Sequence, residues 1–335
     1  MKSSALGGVL TILFAALCWG IGNAVTGLTA HEYLSSGSML PAVDIALANT
    51  IGGLAFVSVA LLLNTAITSK SSVKAGLKMS EPIPPVLRSK NSLLAGAFKG
   101  ANTCLFVLST TYIVATQSLI FESTYILWSL VFGVTLLGRR ASFRSALLKA
   151  LLMLVGVLLV SGQTSLRIQP GYPTLGPIYG LSAGLSYALY LFAWSFVTRD
   201  LNSLKSKLVS TGVLLTISTL TILGFSELLS LLLLHMWWTP FINLKTSDVF
   251  LQTLNGCLVI GVVYLLLTTG MSALRNAREG ANFIAAILLS FSIPFTSLSE
   301  LTLGKFIPTV SQLFGIFLFM VGFILISIST LERRR

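Results

Sequence analysis

The chain has 335 residues, 54% of them apolar and only 10% charged, where a water-soluble domain carries roughly 25% charged residues. That composition excludes a soluble globule. The 22 Lys and Arg against 10 Asp and Glu give a net charge of +12, but the cations are scattered through short segments and form no exposed basic face, so a nucleic-acid partner is excluded as well.

A membrane-spanning helix needs about 20 mostly apolar residues. The first five such runs fall at roughly 7–30, 39–64, 92–113, 116–137 and 146–163, and a second five at roughly 175–197, 208–235, 250–272, 280–302 and 310–330. Transmembrane strands would alternate over about ten residues, unlike the continuous run from Ala146 to Gly162. Within lipid a helix closes its own backbone ladder. The sequence therefore predicts an all-α membrane protein with ten transmembrane helices.

Cations accumulate on the cytoplasmic side. With the amino terminus inside, 17 of the 22 Lys and Arg fall on inner segments, from Lys2 to Arg335, and only Arg167, Lys245 and Lys305 fall outside. Both termini are thus expected in the cytoplasm, and a plasma (inner) membrane is favoured over an organelle membrane. The inner segment Thr65 to Asn91 carries five cations and Pro82, Pro84 and Pro85. It reads as a solvated connector, or as a site for anionic lipid. His235, Met236, Trp237 and Trp238 end the seventh run as an interfacial anchor.

Sliding the chain on itself by 166 positions lays Gly138, Ser145, Gly156 and Ser161 on Gly304, Ser311, Gly322 and Ser327. A shift of 168 lays Cys18, Trp19 and Gly20 over Ser186, Tyr187 and Ala188. Both shifts divide the chain into two five-helix repeats, 1–165 and 166–335. Five is odd, so the halves are expected to be inverted about an axis in the membrane plane, an arrangement suited to alternating access.

The Leu17-Cys18-Trp19-Gly20 stretch, and an apolar run, Leu-Gly, a short polar hinge and a second apolar run with a central Gly, make the chain resemble the drug/metabolite transporter superfamily with its EamA-type repeats. The second pattern occurs from Leu137-Gly138 to Gly156 and from Leu303-Gly304 to Gly322. The position after each Leu-Gly holds Arg139 or Lys305, where that family usually has an acid. The resemblance implies a ten-helix secondary carrier with a polar cavity between its halves. Its substrate would be a small polar or amphipathic metabolite, with protons or a counter-substrate as coupling partner. A homodimer is left open, membrane lipid is the surrounding partner, and no cofactor is implied.

Ionisable residues inside a span are expensive and point to function. Lys99 lies near mid-depth in the third helix and Glu122 in the fourth. A hairpin turning near Ile113 would offset them by roughly 7.5 Å along the axis. They read as a buried ion pair, or as an anion-binding lysine and a proton-carrying glutamate. Glu227, Glu300 and Asp44 lie nearer an interface and are weaker candidates, and Lys149 is expected to snorkel.

Trp19 and Asn23 share one helix face, as do Tyr187, Tyr190 and Trp194, while Asn102 and Tyr125 extend the faces of Lys99 and Glu122. The expected substrate-binding set is Trp19, Asn23, Lys99, Asn102, Glu122, Tyr125, Tyr187 and Tyr190. Small residues such as Gly20, Gly96, Gly100, Gly176, Gly180 and Gly184 are expected where helices approach closely.

With only His31 and His235 and no catalytic motif, the chain is not expected to be an enzyme. A channel, or a non-transporting receptor or assembly factor, is the alternative to a carrier.

Overall fold

A computed structural model of the chain describes residues 3–33, 39–75, 89–135, 151, 152, 155, 156, 159, 174–234, 237, 239–274, 281–303 and 309–332. Among the described residues the regular structure is helical throughout, with no strand. The helices are α1 (Ser3–Glu32), α2 (Leu40–Ala75), α3 (Lys90–Tyr112), α4 (Ala115–Glu122), α5 (Tyr125–Thr135) and α6 (Leu175–Val197). They continue with α7 (Leu204–Leu234), α8 (Thr246–Asn255), α9 (Val262–Ala273), α10 (Ala281–Leu289), α11 (Ser292–Thr302) and α12 (Val310–Glu332). A π-helical segment, Gly256–Gly261, joins α8 to α9 without a break in the axis run.

Among the described residues seven stretches are long and apolar enough to cross a membrane: Leu6–Glu32, Leu40–Thr68, Lys90–Tyr112, Leu175–Asp200, Leu204–Leu232, Thr246–Ala273 and Ile284–Thr302. Their outward surfaces are apolar to a degree water would not tolerate: Leu62 is 70% exposed, Phe250 70% and Leu232 66%. Polar side chains on these helices fold back on their own ladders. Ser58, Thr65, Thr216 and Ser226 each donate to the carbonyl four residues earlier, which removes a bare hydroxyl from the apolar surroundings.

The fourth expected run is two helices, α4 and α5, interrupted at Ser123 and Thr124. Thr124 turns both its N–H and its Oγ1 onto the Phe121 carbonyl, at 3.2 and 2.8 Å, tightening the chain there. The ninth expected run is likewise interrupted, at Ser290 and Phe291. Pro294, in the first turn of α11, has no N–H to offer the Ser290 carbonyl one turn back. The second helix, expected to end near 64, runs on to Ala75, since neither proline nor glycine intervenes. The fifth expected run lies almost wholly outside the described residues. So do Gly138, Arg139, Lys149, Gly304, Lys305, the proline cluster at 82–85, and His235, Met236 and Trp238.

Packing is dominated by α3 against α6 and α7, α1 against α9 and α11, and α2 against α7, α8 and the π segment. Close approach depends on missing side chains. A Cβ at Gly100 would stand 2.7 Å from both the Ser218 carbonyl and Thr221 Cβ on α7. One at Gly20 would stand 2.5 Å from Phe295 Cβ on α11. Near one end of the bundle, Asp44 Oδ1 accepts the Phe241 N–H at 3.1 Å, holding a phenylalanine whose φ of 63° is left-handed.

Candidate functional site

The hairpin expected between the third and fourth helices is present. Ile113 and Val114 are extended and link α3 directly to α4. The two-residue link and the packing of both helices against α6 bring Lys99 and Glu122 within reach of one side chain, but no direct ion pair joins them among the described residues. Asn102 stands between: Lys99 Nζ donates to Asn102 Oδ1 at 2.7 Å, and Asn102 Nδ2 donates to Glu122 Oε1 at 2.7 Å and to the Ala183 carbonyl at 3.1 Å. The amide accepts from the cation with one atom and gives to the anion with the other, so both charges are bridged through a single neutral group. All three are buried: Lys99 is 4% exposed, Asn102 1% and Glu122 1%.

Aromatic rings close around this relay. Lys99 Nζ lies 5.9 Å from the Trp19 ring centroid, 5.7 Å from Tyr187 and 5.1 Å from Tyr264. These are cation–π distances, which replace part of the ammonium's lost hydration. Tyr187 is the hub. Its centroid lies 5.1 Å from Trp19, 4.9 Å from Tyr125 and 5.2 Å from Tyr190. Tyr190 in turn meets Trp194 at 6.3 Å and Tyr264 at 6.0 Å. Trp194 donates its indole N–H to Thr268 at 3.3 Å.

Tyr125, directly after the first helix interruption, and Ser290, within the second, share a hydrogen bond at 3.3 Å. The site is therefore assembled where both broken helices meet. Gly184 on α6 permits this, because a Cβ there would run into the Glu122 carbonyl and stand 2.6 Å from Thr124 Oγ1.

Of the eight residues expected to form a site, seven come together: Trp19, Lys99, Asn102, Glu122, Tyr125, Tyr187 and Tyr190. Asn23 is buried and its amide nitrogen has no hydrogen-bond partner among the described residues, but no contact ties it to the relay. Tyr264 was not anticipated; its only sequence signal is a tyrosine within the apolar run 262–267. The hydroxyls of Tyr187, Tyr190 and Tyr264 are also without partners among the described residues. Each such group, left unpaired in the interior, costs about 1–3 kcal/mol.

A second polar cluster, also unanticipated, ties α1, α2 and α8 together. Asn49 Nδ2 donates to Gln252 Oε1 at 2.9 Å, Gln252 Nε2 to Thr29 at 2.6 Å, and Asn255 Nδ2 to Asn49 Oδ1 at 3.1 Å. Unlike the tyrosine hydroxyls, these amides are engaged with one another, so the cluster reads as a fastening between helices. Glu300 is likewise structural. It accepts the N–H groups of Ala115 and Thr116 at 2.9 and 3.1 Å, as well as the Thr116 hydroxyl, and thereby caps the N-terminus of α4.

Among the described residues no three His, Cys, Asp or Glu side chains converge as metal ligands would. The spans and the buried charged relay define a multi-pass helical membrane protein. No family model and no curated protein matches the sequence. Among solved structures 25 chains match. One of these, described only as the crystal structure of a protein, superposes with a TM-score of 0.57 at 15% identity, covering 100% of both chains. That likeness is one of fold.

Proposed function

We propose that the chain is a secondary carrier of a small polar or amphipathic metabolite, of the drug/metabolite transporter type its sequence resembles, working by alternating access. In this reading it crosses the membrane ten times in two inverted five-helix repeats, with both termini in the cytoplasm. The observation that carries the proposal is the Lys99–Asn102–Glu122 relay. It is a charged, aromatic-walled cluster at the junction of two interrupted helices, and intramembrane charge at such a place marks a transport pathway.

The helix pairings support the repeat. Exchange each helix of the first half for its counterpart in the second, and the contacts map onto one another. The pairing of α3 with α6 becomes α9 with α1, and α3 with α7 becomes α8 and the π segment with α2. In the same way α4 and α5 with α6 become α10 and α11 with α1. The interruptions at Ser123–Thr124 and Ser290–Phe291 lie 167 positions apart, between the two shifts that align the halves. The buried relay, closed to both sides, corresponds to an occluded intermediate of such a cycle.

The test is flux in proteoliposomes, after a thermal-shift screen of the purified protein against a metabolite library supplies a ligand. A carrier gives saturable uptake stimulated by the same solute on the far side. Linear, unsaturated flux indicates a pore. Folded Lys99→Met and Glu122→Gln variants are expected to lose uptake, and undiminished uptake in both removes the relay from the pathway.

A further inference from the structure

The groups around Lys99 that lack partners are rich in donors. Its ammonium carries three N–H donors and places one on Asn102. The hydroxyls of Tyr187, Tyr190 and Tyr264 are unpartnered among the described residues. Those of Tyr187 and Tyr264 lie within electrostatic reach of each other, of Tyr190 and of Glu122. The rings of Tyr187 and Tyr264 lie 5.7 and 5.1 Å from the ammonium, and a ligand carrying acceptor oxygens in their midst would satisfy several of these donors at once. A cationic ligand would instead share its cage with Lys99, against unscreened repulsion.

The relay is also balanced in charge, with one cation and one anion. A bare anion entering beside Lys99 would leave a net negative charge at membrane depth, which lipid opposes. Neutrality returns if one proton arrives with it and adds to a Glu122 carboxylate oxygen, while Lys99 stays an ammonium. On release the O–H bond breaks and the proton leaves with the anion. The titratable groups facing Glu122 are Lys99 on α3, Tyr125 on α5, Tyr187 on α6 and Tyr264 on α9; Cys104 on α3 faces Lys99, and Tyr190 on α6 faces Tyr187 and Tyr264. The Glu300 carboxylate on α11 is committed to the start of α4.

Resting on the carrier reading, we infer that the substrate is a small organic monoanion, a carboxylate on a flat apolar body, taken up with one proton held by Glu122. The rings of Trp19, Tyr125 and Tyr187 supply walls for the apolar body.

The experiment uses the purified full chain and three probes with one body: phenylacetate, phenethylamine and phenylalanine. Binding is followed calorimetrically between about pH 6 and about pH 8, where the acid stays ionised, in two buffers that differ in ionisation enthalpy. Phenylacetate is expected to bind, weakening about tenfold per pH unit with uptake of one proton. Glu122→Gln, a mimic of the protonated carboxyl, should bind it with little pH dependence. Lys99→Met should lose binding at least about tenfold, the equivalent of removing one charged hydrogen bond. Preference for the amine or the zwitterion, phenylacetate binding without proton uptake, or no binding of any probe overturns the inference. Preference for the amine or zwitterion leaves the carrier reading intact. Phenylacetate binding with no counterflow in proteoliposomes overturns the carrier reading alone.

Discussion

Trp19 and Tyr187 lie ring against ring with centroids 5.1 Å apart and planes inclined by 52°, across 168 positions of sequence. These are the residues that the internal match lays on one another. Points exchanged by a two-fold rotation touch only where they lie near its axis. Under the proposed inverted repeat, the pair therefore locates that axis, and the Lys99 ammonium 5.7 Å from the Tyr187 centroid lies beside it. A site on the axis is the one place that both halves can open in turn.

Asn102 holds the two charges of the relay and the Ala183 carbonyl together. Replacing it with alanine strands a buried cation and a buried anion at once. Asn102→Ala is expected to lower stability by about 3 kcal/mol. Unfolding in denaturant, followed by helical circular dichroism, measures this; a loss smaller than that of an ordinary surface substitution would show that the relay is not held by Asn102.

Glu300 should separate structure from transport. Glu300→Ala removes the cap from α4 and is expected to cost about 1–2 kcal/mol, while uptake per folded molecule stays near that of the parent protein. Melting temperature and flux, measured on the same preparation, give the two readings.

Two glycine substitutions of identical chemistry should differ in sign. Gly184→Ala pushes a methyl into the Glu122 carbonyl at the helix interruption and is expected to destabilise by about 2 kcal/mol. Gly224→Ala, on α7 with no atom within 4 Å of the new Cβ, is expected to stabilise by up to about 1 kcal/mol through helix propensity. A pair of thermal melts decides this.

Tyr33, just past α1, donates its hydroxyl to Asp248 and accepts the Lys245 N–H at 2.9 Å. Desolvation, reinforced by the Asp248 carboxylate, raises its pKa above the ordinary 10.0. The folded state thus holds the phenolic proton more tightly than the unfolded chain does. The contribution is fully present below pH 10 and is lost as pH rises above it through the folded value. Tyr33→Phe should flatten this alkaline decline in melting temperature while lowering stability at neutral pH.

Much of the architecture was legible in composition and run length, because lipid permits few solutions for a backbone. The meeting of Lys99 with Glu122 was legible too, since a short hairpin fixes the axial offset between them. The mediator was not. Asn102 follows Lys99 by three residues on one helix face, and whether its amide points to the lysine, the glutamate or both depends on rotamers that spacing does not set. The interruption before Thr124 was hidden because no proline or glycine marks it in sequence. Its causes are a side-chain bond to Phe121 and the bare surface of Gly184, which is distant in the chain. The fastening by Asn49, Gln252 and Asn255 escaped notice for a related reason: single amides in apolar runs gain meaning only once their partners on other helices are known.

The π segment Gly256–Gly261 fits one residue more into its turn than an α-helix would. Each residue advances an α-helix by about 100°, so this surplus sets the azimuth of everything downstream on the same rod. It lets one continuous rod direct Gln252 and Asn255 toward α1 and α2 while Tyr264 looks at Lys99. Deleting a single residue from that segment would leave the rod helical yet turn the tyrosine by more than a quarter revolution, uncoupling the fastening from the lysine cage without touching either.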